Sequence, residues 1–177
     1  MPFEQRPAAI DEASLKEALQ GEGVTPGDAA VALAELKAER VANRVPDAIV
    51  LGADQILTCE GRWFDKPQSR AEARAQLSAL AGKRHELATA VVALRGGARV
   101  WHHLAVPRLW LRGCSQEFLD AYLDTVGQAA LTSVGAYQIE GIGAQVFARI
   151  EGDHFAVLGL PLLELLEFLR EQGVLLR

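Results

Sequence analysis

Asp54 is the residue whose surroundings most invite chemistry. It closes the apolar run Ala48-Ile-Val-Leu-Gly-Ala53, the pattern of a strand covered on both faces. Strand ends are where α/β sheets present ligand-binding groups. A carboxylate there is costly unless it is paired or binds a metal. A hairpin brings Lys66 toward it. With Cys59-Glu60-Gly61 as a three-residue loop, Thr58 pairs with Arg62 and Asp54 faces Lys66. A two-residue loop puts Gln55 opposite Lys66 instead. Lys37 is a third candidate. Ala30, Leu33, Ala34 and Val41 form the inward stripe of a helix, and Lys37 fills the gap in that stripe. Its ammonium therefore points toward the sheet, within reach of a phosphate. Asp11-Glu12 adds two carboxylates of the kind that hold Mg2+ or Mn2+ together with substrate phosphates. Each residue alone also has a plain structural reading: a turn aspartate, a surface ion pair, a snorkelling lysine, a solvated helix start.

Other chemistries find less support. His102 and His103 are neighbours on an expected strand, so they point to opposite faces and cannot share a metal. His85 and His154 are isolated and read as structural, and neither Cys59 nor Cys114 sits in a metal or redox motif. There is no Walker phosphate loop, no dinucleotide glycine fingerprint and no Gly-x-Ser-x-Gly elbow.

The elements that must carry these side chains follow from caps and breakers. A short helix is expected near Glu12–Gln20. Thr25-Pro26-Gly27-Asp28 starts a second helix that runs to about Asn43, before Pro46. Ser69-Arg-Ala-Glu72 is a capping box, and Gly82 stops the helix it opens. His85–Leu94 and Ala98–Leu111 read as two strands joined by Gly96-Gly97. Ser115 caps a helix to about Asp124, and residues 127–143 form a glycine-rich connection. Gln145–Ile150 is a strand, and residues 151–154 a turn. The last helix, Pro161–Gln172, is amphipathic, with Leu162, Leu165, Leu166 and Leu169 on one face and Glu164, Glu167 and Glu171 on the other. The sum is one α/β domain over residues 1–177, with a mixed sheet and helices packed against it.

Composition narrows the class further. The 177 residues carry 18 basic and 23 acidic side chains, a net charge of −5, and half of them are hydrophobic. That profile suits a single globular domain and excludes a disordered or disulfide-dependent chain. No apolar run spans a membrane, the first residues lack a signal-peptide pattern, and two unmotivated cysteines suit the reducing cytoplasm. An acidic chain with few aromatics is a poor nucleic-acid binder. A polyanion would need a local cationic site or a metal.

Six short motifs in one order resemble the Maf family of nucleoside triphosphate pyrophosphatases. They are Asp11-Glu12, Ala34-Glu-Leu-Lys37-Ala38, Gly52-Ala-Asp54-Gln55 with Lys66-Pro67, Ala81-Gly82 with His85, Gly135-Ala-Tyr-Gln-Ile-Glu140-Gly141, and Val157-Leu-Gly-Leu-Pro161-Leu162. The resemblance runs nearly end to end. It implies a two-lobed α/β fold with a central cleft. The activity it implies is metal-assisted hydrolysis of a nucleoside triphosphate to monophosphate and pyrophosphate. Carried over by position, Asp54 is the acid/base and shares a divalent cation (Mg2+ or Mn2+) with Glu12. Lys37 and Lys66 bind phosphate. Gln55 and Glu140 bind substrate, Glu140 standing where many members carry a glutamine near the base, and the combination is more like the branch acting on 7-methyl-GTP than the dTTP/UTP branch. Neither nucleic acid nor membrane is an implied partner, and a homodimer is compatible with the pattern. Family members open with a strand and a Ser-x-Ser-Pro-Arg-Arg-like phosphate loop. This sequence begins at Met1-Pro-Phe-Glu4, where such a segment should end. Two alternatives follow: a shortened form, or a chain that has lost part of its phosphate grip and binds nucleotides or regulates division without catalysis. A general phosphatase would instead release orthophosphate first.

Overall fold

Alternation along the strand Ile49–Cys59 (β1) decides which side chains can meet. The computed structural model describes residues 3–8 and 10–176. The chain forms two compact units. One comprises Met1–Gln55, Ala88–Val106 and Asp153–Arg177, the other Ile56–Leu87 and Pro107–Gly152.

In the first unit, α1 (Glu12–Gly21) begins where the Asp11 side chain accepts from the Ser14 N–H, and α2 (Pro26–Ala42) where Thr25 accepts from Asp28. β1 (Ile49–Cys59) starts here, β3 (Arg84–Arg95) ends here, and β4 (Ala98–Ala105) pairs antiparallel to β3. Asp153 caps the short helix α5 (His154–Val157), followed by α6 (Leu162–Glu171). Residues opposed across an antiparallel ladder share a face, so the register Val91↔His103 and Ala93↔Trp101 defines one side of this sheet. That side packs on α6. Trp101 stacks on Phe168 with centroids 4.8 Å apart. Val91, Ala93, Leu165, Phe168 and Leu169 form one cluster with Ile49 against it. The other side packs on α2. Leu104 approaches Gly27, and a Cβ on Gly52 would lie 2.0 Å from the Ala34 carbonyl oxygen. Val50, Gly52 and Asp54 therefore face α2, while Ile49 and Gln55 face α5 and α6.

Several expectations are corrected here. Leu51 is exposed, so β1 is not covered on both faces throughout. Asp54 sits mid-strand, because Ile56 and Leu57 resume the apolar pattern and extend β1 to Cys59. Lys37 does point to the sheet, but Ala38 and Ala42 rather than Val41 complete the buried stripe. On α6, Phe168 joins Leu165 and Leu169 in the core. Glu164, expected on the wet face, is half-buried with Oε2 buried and unpartnered.

In the second unit, β1 turns into β2 (Arg62–Phe64) through Glu60-Gly61, both at positive φ. The register is Cys59↔Arg62, Thr58↔Trp63 and Leu57↔Phe64. The hairpin thus uses the two-residue loop whose twist matches its strands, not the three-residue loop that placed Asp54 opposite Lys66. The ladder stops at Phe64, before Lys66. After α3 (Arg70–Leu80), the expected strand 98–111 is cut by Pro107 into β4 and β5 (Arg108–Leu111). Both pair with β3, and the Pro107 carbonyl still accepts from the Leu87 N–H at 3.1 Å. α4 (Gln116–Val126) precedes three short 3-10 turns spanning much of residues 127–146, and β6 (Phe147–Glu151) pairs with β5. Gly135, at φ +77°, is needed here: a Cβ would lie 2.6 Å from the Tyr137 ring. Tyr122 Oη accepts from Gln138 N–H at 3.0 Å and donates to Ala136 O at 3.1 Å. The sheet order is β2-β1-β3-β5-β6, with β4 also on β3, and every ladder with an assigned register is antiparallel.

Candidate functional site

Gly52 makes the site geometrically available. Without a side chain there, α2 lies close against β1, and Lys37, one turn from Ala34, comes over the next inward residue of the strand. Its Nζ donates to Asp54 Oδ1 at 2.5 Å and pairs with Glu12 Oε1 at 2.8 Å. The Asp54 side chain is 5% exposed, Lys37 21% and Glu12 43%. Asp54 Oδ2 is buried without a hydrogen-bond partner. Three of the expected residues, Glu12, Lys37 and Asp54, are thus brought together.

Their electrostatics are unequal. Burial pushes the Asp54 carboxyl above its ordinary value, against the downward pull of Lys37 and Lys16. Burial alone would lower the Lys37 ammonium, yet Asp54 and Glu12 together hold it above its usual range. The amine has two carboxylates, while the more deeply buried carboxylate has one direct amine. Lys37 is therefore the firmly charged partner and Asp54 the easily protonated one.

Gln55 sits on the other face of β1. Its Nε2 donates to Thr89 Oγ1 at 2.8 Å and to the Ala156 carbonyl at 2.9 Å. Thr89, fully buried, itself donates to Ala156 O at 2.9 Å. The amide nitrogen of Gln55 thus ties β1 to β3 and α5. Lys66 and Glu140 are exposed and belong to loops of the second unit. A buried glutamine joins those two loops. Gln76 Nε2 donates to Asp65 O at 2.9 Å, and its Oε1 accepts from the Gly135 N–H at 3.1 Å. His85, also buried in this unit, meets Tyr137 Oη through Nε2 at 3.0 Å, and burial lowers its pKa to about 4. A cavity of about 490 Å³ beside Glu60, Lys83, Arg84 and Glu86 contains none of the expected residues.

Lys16, Gln76 and Thr89 join the expected residues as polar groups acting on or beside these elements. For two of them a signal was present. Gln76 stands in the buried stripe Ala73-Gln76-Leu77-Leu80, and Lys16 in the half-buried stripe Glu12-Leu15-Lys16-Leu19. Both are polar residues at inward helical positions, the same anomaly that singles out Lys37.

The donor set fits a small hard cation in part. Asp54 Oδ2 lacks a partner and Glu12 is partly exposed. Among the described residues no cluster of three or more His, Cys, Asp or Glu side chains could hold a metal ion. Two carboxylates that leave the remaining positions to water and phosphate suit Mg2+ or Mn2+ better than a metal caged by protein.

Fold and cluster define an α/β protein whose centre is a carboxylate, an amine and a second carboxylate. The sequence matches the family described as Maf-like protein over residues 1–172. A nucleoside triphosphate pyrophosphatase of Paramagnetospirillum magneticum is 55% identical over 168 residues, 95% of this chain and 87% of the relative. One of Rhodospirillum rubrum is 51% identical over 176 residues, 99% and 87% of the two chains. A 7-methyl-GTP pyrophosphatase of Rhizobium meliloti is 47% identical over 175 residues, 99% and 88%. The chain belongs to the Maf family. No helix among the described residues is long and apolar enough to cross a membrane.

Proposed function

We infer that the chain is a nucleoside triphosphate pyrophosphatase, cleaving the α,β-anhydride with water to give a monophosphate and pyrophosphate. Membership of a family whose compared relatives carry that name supports the activity. The observation that carries the site is the buried, unpartnered Asp54 Oδ2 beside the Lys37–Glu12 pair. Asp54 is the acid/base. Its raised pKa makes it a stronger base than an ordinary aspartate, so it orients or deprotonates the attacking water. Lys37 engages Oδ1, so Oδ2 is the carboxylate oxygen that no hydrogen bond occupies, and the Lys37 charge stands ready for a phosphate oxygen. A divalent cation held by Asp54 and Glu12 would polarise the phosphoryl group and offset its charge. Lys66 is assigned to the phosphates and Glu140 to the base. Gln55 offers the base its carbonyl Oε1, since its amide nitrogen is already bonded. Guanine-type bases, rich in N–H donors, suit that acceptor, and the 7-methyl-GTP pyrophosphatase relative agrees with this choice.

Pyrophosphate release from GTP, 7-methyl-GTP, dTTP and UTP with Mg2+ or Mn2+ tests the proposal. Asp54→Asn should lower turnover by about a hundredfold or more. Unchanged release by that variant rejects the assignment of Asp54. Orthophosphate as first product points to a general phosphatase, and no product from any triphosphate points to a binding role.

A further inference from the structure

Glu12, Lys37 and Asp54, when all are ionised, sum to one negative charge, which repels a polyanion. The helix that supplies Glu12 corrects this imbalance. On α1 the half-buried residues are Glu12, Leu15, Lys16 and Leu19, spaced i, i+3, i+4 and i+7, while the residues between them are exposed. This stripe is the side that packs, because Glu12 reaches Lys37 of α2 from it at 2.8 Å. Lys16 stands one turn after Glu12 on that same side. Its charge is felt at the Asp54 carboxyl, where it acts in the same direction as that of Lys37.

We propose that Lys16 is a phosphate-binding cation of this site, placed by the packed stripe of α1 to meet the triphosphate beside Lys37. The proposal rests on the hydrolytic reading and adds a residue to it. With Lys16 the four side chains are neutral overall, so a triphosphate is admitted without net repulsion before any cation arrives. Lys16 is half-buried in the stripe with Leu15 and Leu19, as suits a lysine whose stem lies along apolar surface while its ammonium stays in water.

Inorganic tripolyphosphate, titrated calorimetrically into the full chain with Mg2+ and again with EDTA, isolates the phosphate contact from base recognition. Lys16→Met keeps the stem and removes the charge, and should weaken binding about tenfold in both conditions. Lys16→Arg should stay within about threefold of wild type. Lys83→Met makes the same change in net charge at a residue paired with Glu60 in the other unit, and should also stay within about threefold. If Lys16→Met does not fold, Lys16→Gln carries the same expectation. Wild-type affinity in both neutral variants overturns the inference, as does an equal loss in Lys83→Met. In either case pyrophosphate release by the wild-type chain leaves the hydrolytic reading standing. A wild-type chain that binds no tripolyphosphate overturns the inference, and one that also releases no pyrophosphate overturns both.

Discussion

Replacing Lys37 with methionine should destabilise the fold more at pH 8 than at pH 5. The cost is that of leaving Asp54 ionised in a place where its side chain is 5% exposed. Charge centres about 4 Å apart, at an effective dielectric of about 20, attract by about 4 kcal/mol. Lys37 is a fifth exposed, Glu12 shares it, and Lys16 still acts on Asp54, so about 2 kcal/mol is the expected loss. The pH dependence follows from the direction of the Asp54 shift. A carboxyl whose folded pKa is raised binds more protons folded than unfolded, so stability declines as pH rises through that window. Removing Lys37 pushes the folded value higher still and widens the window upward. The variant therefore protonates Asp54 more readily as pH falls and escapes part of the cost on the acid side. Urea unfolding of wild type, Lys37→Met, Asp54→Asn and the double variant at both pH values closes a thermodynamic cycle. The expected coupling is about 2 kcal/mol at pH 8 and smaller at pH 5. A Lys37→Met cost that is the same in the Asp54→Asn background, or the same at both pH values, refutes the reasoning.

Three further outcomes follow from single contacts. Gly52→Ala drives a Cβ to 2.0 Å from the Ala34 carbonyl oxygen. It should cost about 3 kcal/mol in urea unfolding, because backbone on both sides resists the shift. His85 titrates at 6.5 unfolded but at about 4 in the fold, so its contribution is complete above pH 6.5 and is lost as pH falls toward 4. Wild type should lose about 3 kcal/mol more over that range than His85→Asn, a difference that pH-dependent unfolding measures directly. Gln76→Leu strands the Gly135 N–H and the Asp65 carbonyl. It should lower stability by about 2 kcal/mol and speed amide exchange at Gly135.

Helix positions were the most legible part of the sequence. Thr25, Ser69 and Ser115 each cap where their types and spacing say they should, because caps are local. The Lys37 anomaly was legible for the same reason: a helix stripe needs only a period. The sequence left two hairpin registers open because register turns on one residue of loop length, and the two-residue alternative forms because the pair Glu60-Gly61 takes positive φ at both positions. The apolar run stops at Ala53 because Asp54 and Gln55 interrupt it, while the hairpin ladder carries the strand on to Cys59. Only tertiary partners, Lys37 on one face and Thr89 on the other, make those residues tolerable within a strand. Gln76 is legible as a polar residue at an inward helical position, but no local pattern names its partners, the Asp65 carbonyl and the Gly135 N–H.

Asp54 and Gln55 show how one strand divides its labour. Successive side chains leave a strand on opposite faces. The aspartate therefore meets α2 and the amine that α2 carries, while the glutamine meets α5 and a carbonyl that can only accept. Thr89 gives its own proton to that carbonyl and so must accept from the glutamine, which fixes the amide with nitrogen inward. The strand is thereby tied on one side, and the position of the carboxylate on the other side becomes a property of the sheet rather than of a loop. A base or cation ligand gains from that arrangement, because its geometry is held before substrate arrives. Loosening the tie should therefore harm Asp54 chemistry across a strand it never touches. Thr89→Val, which leaves the Gln55 amide without one acceptor, should slow pyrophosphate release more than Thr89→Ser does. Equal rates in the two variants would show that the two faces work independently.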